Sequence, residues 1–321
     1  MGNMIKRIGV LTRDCAGINA CIRAIVRVAS FYNIEVIGIF RGYEGLIRGE
    51  IKVLTRRSVS GIINLGGSIL KTARSKAFFT QEGQKKAVET IKKNKLDGLI
   101  VIGGNGSLTG AYLLHSKFGI PVVGIPATID NDVNGVDLTI GADTAVNVAL
   151  DALDKIRDTA TSLERIFVVE VMGRDCGWIA LEVALAGGCE NVLIPERTFD
   201  IESVCEEITE GNIRGKVSWI VIVAEGCAKA SDIAKKITEI TGLETRTVVL
   251  GHIQRGGRPT RLDRILAAYL GNKAVECLRK GEVGVYVGMK NNKIITLPLE
   301  KIIKPKKIKV DNYLSLIKIL T

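Results

Sequence analysis

The sequence predicts an α/β protein built on doubly wound parallel β-sheet. Three observations carry that prediction. Short apolar runs of strand length recur along the chain and alternate with stretches of helical period. Those runs are rich in Val, Ile, Ala and Gly, and only 5% of the chain is aromatic, which suits strands covered by helices on both faces. At 321 residues, 46% of them hydrophobic, the chain can bury a large core and has the length of two domains. No internal repeat or low-complexity linker interrupts it. A second domain therefore has to arise from the chain crossing over rather than from a simple boundary.

In chain order, Ile8-Gly9-Val10-Leu11-Thr12 reads as a buried strand. The turn Arg13-Asp14-Cys15-Ala16-Gly17 and a helix to about Ser30 follow. Arg23 and Arg27 are four apart on that helix and share a face. Ile34 to Phe40 is the next strand, with Arg41 to Gly45 as its loop, and Gly66 to Arg74 is a small-residue loop that ends in a cation. Gln81 to Asn94 is helical, and Leu96 to Ile102 is a strand running into Gly103-Gly104-Asn105-Gly106-Ser107. A glycine loop between strand and helix exposes N–H groups that suit phosphate oxygens. It matches neither common nucleotide-binding glycine signature, and tight turning without a ligand fits it as well.

Val122 to Pro126 is a further buried strand, and Thr128-Ile129-Asp130-Asn131-Asp132 comes just after it. The carboxyl end of a strand is where open α/β sheets bind ligands. Two acids two residues apart on a turn can divide phosphoryl transfer, one accepting a hydroxyl proton and the other helping to hold a divalent metal. The same residues also fit an Asx-rich turn whose carboxylates bind backbone N–H groups. Beyond this segment a helix runs from Thr144 to Arg157 and a strand from Ile166 to Val171, and the loop Met172 to Trp178 leads into another helix. Asn191 to Pro195, Trp219 to Ala224 and Thr247 to Leu250 read as strands, with helices near 200–210 and 231–240.

The 45 Lys and Arg against 34 Asp and Glu give a formal charge of +11, concentrated in part in Lys301 to Lys309. No aromatic-interleaved basic motif accompanies it, so nucleic acid is not the expected partner. Anionic small substrates favour the same charge balance, and the Lys-rich stretch reads as solvated surface. Seven cysteines show no C-x-x-C pair and no metal-ligand spacing, and are expected to be reduced cytosolic thiols. No export signal or membrane-length apolar run is evident, so a soluble, cytoplasmic protein is expected.

Several blocks in order, namely Arg74, Gly103-Gly104 with Gly106-Ser107, Thr128 to Asp132, Met172 to Gly177 and Gly251 to Gly257, closely resemble those of bacterial-type 6-phosphofructokinases. The resemblance runs over nearly the whole chain. It implies two Rossmann-like domains in the phosphofructokinase fold, residues 1–138 with 254–305 on the nucleotide side and 139–253 with 306–321 on the sugar-phosphate side. It also implies a homotetramer, ATP and fructose 6-phosphate as substrates, and Mg²⁺ as cofactor. Asp130 matches the base for the C1 hydroxyl, Thr128 a contact to the transferred phosphoryl, and Arg74 and Arg174 the cations around it. Arg165, Arg246, His252 and Arg255 match sugar-phosphate binders, the first two reaching from a neighbouring subunit. Met172, Gly173 and Glu225 match the residues that hold the sugar. Arg13, Gly104, Asn105, Gly106 and Ser107 fall at nucleotide positions, and Asn105 and Asp132 at metal positions. For an allosteric effector, ADP or phosphoenolpyruvate, the matching residues are Arg23, Arg27, Arg56, Arg214 and Lys216, cations without evident use elsewhere, together with Glu190.

Three positions bear on the phosphoryl donor. Gly106 leaves room for the α-phosphate of a nucleotide and Ala127 supplies no cation for free pyrophosphate, so ATP is expected over pyrophosphate. The first loop, Thr12-Arg13-Asp14, is shorter than the family's and lacks its paired glycines, and Asn105 stands where an Asp is typical. Both departures lead to an expectation of weakened metal or nucleotide binding. The alternatives are a weakly active or non-catalytic regulatory paralogue and, less favoured, a pyrophosphate-dependent enzyme.

Overall fold

The computed structural model describes residues 5–304, 306 and 308–321. The chain begins β1 (Arg7–Thr12), α1 (Ile18–Phe31), β2 (Glu35–Ile39), α2 (Gly42–Arg48), β3 (Ile51–Leu54), α3 (Gln81–Lys93), β4 (Gly98–Gly103), α4 (Asn105–Phe118) and β5 (Val122–Pro126). It continues through α5 (Ala142–Leu163), β6 (Ile166–Val171), α6 (Trp178–Gly187), β7 (Asn191–Leu193), α7 (Ile201–Ile213), β8 (Trp219–Ala224), α8 (Ala230–Thr241) and β9 (Thr245–Val249). It ends with α9 (Arg261–Arg279), β10 (Val285–Lys290), β11 (Lys293–Pro298) and α10 (Val310–Leu320).

Two compact units result: Met1–Thr144 with Arg255–Lys306, and Ala145–Gln254 with Lys307–Thr321. The first passage between them falls at 144/145 rather than the expected 138/139. Residues up to Thr144 stay with the first unit because Ile140 bridges to Ala127, and Gly141 and Thr144 bond to Asp263.

The first unit carries a seven-stranded sheet in the order β11-β10-β5-β4-β1-β2-β3. Its five inner strands are parallel, and β4 and β5 are buried at every residue, as their unbroken apolar runs require. Both edges depart from the all-parallel expectation: β3 runs antiparallel to β2, and β11 to β10. The β10–β11 turn is Asn291-Asn292, both at positive φ, the backbone of a two-residue hairpin turn. The loop expected at Arg41–Gly45 is instead the start of α2, which buries Tyr43 and Leu46. Tyr43 stacks on Phe78 with ring centroids 3.9 Å apart, and that contact rather than helix propensity holds this short segment.

The second unit has a four-stranded, fully parallel sheet in the order β7-β8-β6-β9. Its core joins Val168, Val221 and Val223 of the sheet to Val204 and Ile208 of α7 and Ile233 and Ile237 of α8. All seven cysteines are free thiols, and among the described residues no helix is long and apolar enough to cross a membrane.

Asp263, near the start of α9, is fully buried in the first unit. Its carboxylate accepts hydrogen bonds from the Gly141 N–H at 2.8 Å, the Thr144 N–H at 2.9 Å and the Thr144 hydroxyl. Burial raises its pKa and these three bonds pull it back down. Thr260 caps α9 and donates its N–H to the Thr144 hydroxyl at 3.0 Å, so the amino ends of α5 and α9 are held together. Asp263→Ala leaves two N–H groups and a hydroxyl without their acceptor, each costing about 1–3 kcal/mol. Unfolding followed by circular dichroism is expected to show a loss of roughly 3 kcal/mol or more, with Asp263→Asn, which keeps one acceptor oxygen, losing less.

Candidate functional site

In the first unit, β4 ends at Gly103 and the chain turns directly into α4, with Gly104 at the cap position and no side chain capping the helix. The amino end of α4 therefore presents main-chain N–H groups to an anion. A Cβ on Gly104 would stand 3.2 Å from the Cβ of Thr128, so only glycine lets these two loops close on each other without displacement. Gly106 is the opposite case: a Cβ there would meet nothing within 4 Å. Ser107 is buried, and its carbonyl accepts the Tyr43 hydroxyl at 2.7 Å, which ties α4 to α2.

The segment after β5 is fixed by the residue between its two acids. Asn131 is buried at φ 49, a left-handed conformation that Asn tolerates better than most residues. Its amide donates to the Asp137 carbonyl at 3.0 Å and accepts the Thr139 N–H at 3.1 Å. Asn131 is thus scaffold, and Asp130 and Asp132 are half-buried on either side of it. Thr128 Oγ1 accepts the Asp130 N–H at 3.3 Å and donates to its carboxylate at 3.4 Å, so local turn chemistry orients the candidate acid. Asn105 donates its amide to Asp132 Oδ2 at 2.8 Å.

Arg13 borders this region at Gly103, with Arg74 and Arg255 near enough to act on its charge. Arg13 Nη1 donates to the Ala73 carbonyl at 2.9 Å. Burial first, then the positive charges of Arg74 and Arg255, hold its guanidinium below its ordinary value against the support of Asp14. The loop that carries Arg74 is docked by groups the sequence did not mark as functional. Buried Asn19 on α1 donates to the Leu65 and Gly67 carbonyls at 3.0 and 2.6 Å and accepts the Ile69 N–H at 2.9 Å. Asp14 accepts the Ser68 N–H at 3.0 Å. A lone Asn in the apolar face of a predicted helix was the available signal for Asn19.

In the second unit, the carboxyl ends of β6, β8 and β9 are followed by Met172-Gly173-Arg174, Glu225 and His252, respectively. The Glu225 N–H donates to the Val171 carbonyl at 2.9 Å and the Gly226 N–H to Gly173 at 3.1 Å, which stitches two of these loops together. Gly173 sits at φ 146, outside the range of ordinary side-chain-bearing residues. Gln254, buried and given no role of its own within the Gly251–Gly257 block, accepts the Met172 N–H at 2.8 Å and sets that loop.

Arg165 and Arg246 lie at the other end of the same sheet. Arg165 directly precedes β6, and Arg246 is the second residue of β9. Both guanidiniums are paired with Glu244, Arg165 at 2.8 Å. The six residues of β6 separate them from Met172 by roughly 20 Å. The second unit therefore does not bring all of the expected sugar-phosphate binders to one place.

Of the effector set, Arg23 and Arg27 share a half-buried face of α1, and Arg56 is exposed just beyond β3. The second-unit cations differ from the expectation of cations without other use. Arg214 pairs with Glu210 one helical turn back at 3.0 Å. Lys216 pairs with Glu190 at 2.8 Å and lies 4.7 Å from the centre of the Trp219 ring. The Glu190 carboxylate is almost fully buried and also accepts the Ile220 N–H at 2.8 Å, because the chain entering β7 runs beside the start of β8.

Among the described residues no group of three or more His, Cys, Asp and Glu is arranged to hold a metal by itself. Mg²⁺ carried on a nucleotide's phosphates needs only one or two protein oxygens, and the Asp132 carboxylate and the Asn105 amide oxygen fit that demand.

The sequence profile of the Phosphofructokinase family matches residues 7–278. The chain is 51% identical over 304 residues to the ATP-dependent 6-phosphofructokinase of Halalkalibacterium halodurans, a match covering 94% of this chain and 95% of that protein. It is 52% identical over 299 residues to the ATP-dependent 6-phosphofructokinase of Clostridium tetani, covering 92% of this chain and 93% of that one. The phosphofructokinase from Saccharomyces cerevisiae superposes with a TM-score of 0.85 at 36% identity, over 92% of this chain and 45% of that chain, so this chain spans less than half of the yeast protein. On this similarity the chain belongs to the phosphofructokinase family.

Proposed function

We propose that the chain is an ATP-dependent 6-phosphofructokinase that transfers the γ-phosphoryl group of ATP to the C1 hydroxyl of fructose 6-phosphate. The observation that carries this reading is its identity, at about half of all positions over nearly full length, to relatives of that name. The open space at Gly106 and the small, buried Ala127 support a nucleotide rather than free pyrophosphate as donor.

Asp130 accepts the C1 hydroxyl proton as the oxygen attacks the γ-phosphorus, the bond to the β–γ bridging oxygen breaks and ADP leaves. Thr128 contacts the phosphoryl group, and Arg74 and Arg174 neutralise the charge spread over its oxygens. The α4 amino end with Gly104, Asn105, Gly106 and Ser107, together with Arg13, holds the nucleotide. Asp132 and Asn105 would hold a Mg²⁺ ion carried on the nucleotide, which would neutralise charge on the phosphates. Met172, Gly173, Arg174, Glu225, His252 and Arg255 hold the sugar phosphate. Arg165 and Arg246, at the opposite end of the second unit's sheet, serve the sugar-phosphate site of a second copy in a homotetramer. Arg23, Arg27, Arg56, Arg214 and Lys216, with Glu190, take an anionic effector such as ADP or phosphoenolpyruvate, and the protein works in the cytoplasm.

Steady-state assays with fructose 6-phosphate, Mg²⁺ and either ATP or pyrophosphate test this reading. Turnover with ATP is expected, and its absence overturns the reading. Asp130→Asn is expected to lower kcat by about 10²–10⁴-fold with KM for both substrates little changed, the size of a lost general base.

A second measurement addresses the shared site. Asp130→Asn and Arg165→Ala chains, each nearly inactive alone, are unfolded, mixed in equal amounts and refolded. Recovery of roughly a quarter of wild-type activity is expected, because random assembly completes that share of sites when Arg165 acts in a neighbouring copy. No recovery means that Arg165 serves its own chain.

A further inference from the structure

Arg13 is held at both ends. Its N–H donates to the Ile102 carbonyl at 3.0 Å, and its guanidinium donates to the Ala73 carbonyl at 2.9 Å. Between them the side chain passes over Gly103, its Cγ 2.9 Å from where a Cβ on that glycine would stand. The stem of Arg13 thus lies beside the turn that opens α4 and its charge is fixed at Ala73, next to Arg74 in the chain. Arg255 comes to the same place because the backbone two residues after it, at Gly257, packs on Gly66 at the base of the Arg74 loop, its carbonyl 2.4 Å from a Cβ placed there. Three guanidiniums converge closely enough for the other two to act on Arg13, and a guanidinium stays charged regardless. Asp14, the acid adjacent in sequence, directs one carboxylate oxygen to the Ser68 N–H.

Across the α4 turn, Asn105 donates to Asp132 Oδ2 at 2.8 Å and to the Asp132 carbonyl at 3.3 Å. Two facing carboxylates need a cation between them, whereas a carboxylate facing an amide has a partner in the protein itself. The Asn105 oxygen that remains is a neutral ligand, and hard divalent ions bind anionic oxygens more tightly. The loop therefore gains a fixed positive charge on one side and has less metal-attracting charge on the other.

We infer that this chain binds the phosphate chain of a nucleoside triphosphate without a divalent ion, Arg13 supplying positive charge that a metal brings in its absence. This deepens the donor reading above and rests on it. Arg13 acts here as a specificity residue: it makes free ATP, and not only its magnesium complex, a ligand of the site.

Isothermal titration of the full chain with ATP, once in excess EDTA and once in excess Mg²⁺, tests the inference. The two dissociation constants are expected to lie within about tenfold of each other. Arg13→Ala should weaken metal-free binding by about tenfold, the scale of one charge-assisted hydrogen bond, and binding with Mg²⁺ by clearly less. Arg13→Gln, which keeps a donor for the Ala73 carbonyl, replaces it if the alanine variant does not fold. Asn105→Asp should weaken metal-free binding and make binding climb with added Mg²⁺. ATP that binds only with Mg²⁺, or Arg13 variants that weaken both titrations equally, would overturn the inference. Failure of the kinase reading looks different: no turnover with fructose 6-phosphate, while the two titrations still decide whether ATP binds without metal. Turnover with Mg²⁺ but no ATP binding in EDTA removes this inference alone.

Discussion

The candidate site of the first unit depends on the parallel register of β4 and β5, which ends with Gly103 paired to Pro126 and the Ala127 N–H donating to the Gly103 carbonyl at 3.0 Å. That last pairing releases two chains from neighbouring strands at the same height. One turns into α4 and the other into the acid-bearing segment. Because they leave side by side, Gly104 meets Thr128 and Asn105 meets Asp132. A slip of one residue would turn every side chain of β5 to the opposite face and separate these groups. Burial of both strands on both faces is what makes that slip costly. The apolar core is thus the direct cause of the polar geometry at its edge.

Elements whose driving force is local were legible in the sequence. Buried parallel strands such as Val122–Pro126 and Ile166–Val171 announce themselves as unbroken apolar runs, and their observed bounds match. The hairpin Val285–Pro298 was missed because β11 is a half-buried edge strand of mixed polar and apolar residues and β10 buries only its middle residues, although Asn291-Asn292 is a recognisable turn signal. Helix α2 was missed because a Gly-rich start reads as a loop, and what stabilises it is Phe78, more than thirty residues away. Candidate site residues were legible as chemistry but not as scaffold. Asn19, Gln254 and Asp263 each satisfy backbone groups of a segment distant in sequence, Asn131 those of residues 137–139 just downstream, and nothing in their own neighbourhood says which segment.

The same four residues show how the loops that carry charge stay in place. Arg74, Asp130 and Met172 all lie on segments without regular hydrogen bonding of their own, which are costly to order. In each case one buried side chain closes the loop by bonding main-chain N–H or C=O groups. Asn19 holds 65–69, Asn131 holds 137–139 and Gln254 holds Met172. An amide side chain suits this task because it donates and accepts at once and carries no charge to desolvate. Asp263 is the exception: its neighbours offer donors only, and an acceptor-only carboxylate matches two N–H groups and a hydroxyl.

The second unit poses the converse problem, since cationic side chains stand at both ends of one sheet. Loops at the carboxyl ends of its strands are the expected place for a ligand in an open parallel sheet. Guanidiniums at the amino ends are not explained by that rule. Arg165 and Arg246 are adjacent because β6 and β9 pair, with Phe167 opposite Arg246, and two like charges on neighbouring strands repel. Glu244, just before β9, relieves that repulsion by pairing with both. A single carboxylate between two guanidiniums leaves the trio net positive, so this edge of the sheet retains an attraction for anions after its own acid has been counted. The two guanidiniums and their shared acid therefore form a cationic cluster at the end of the sheet opposite the loops that carry Met172 and Glu225.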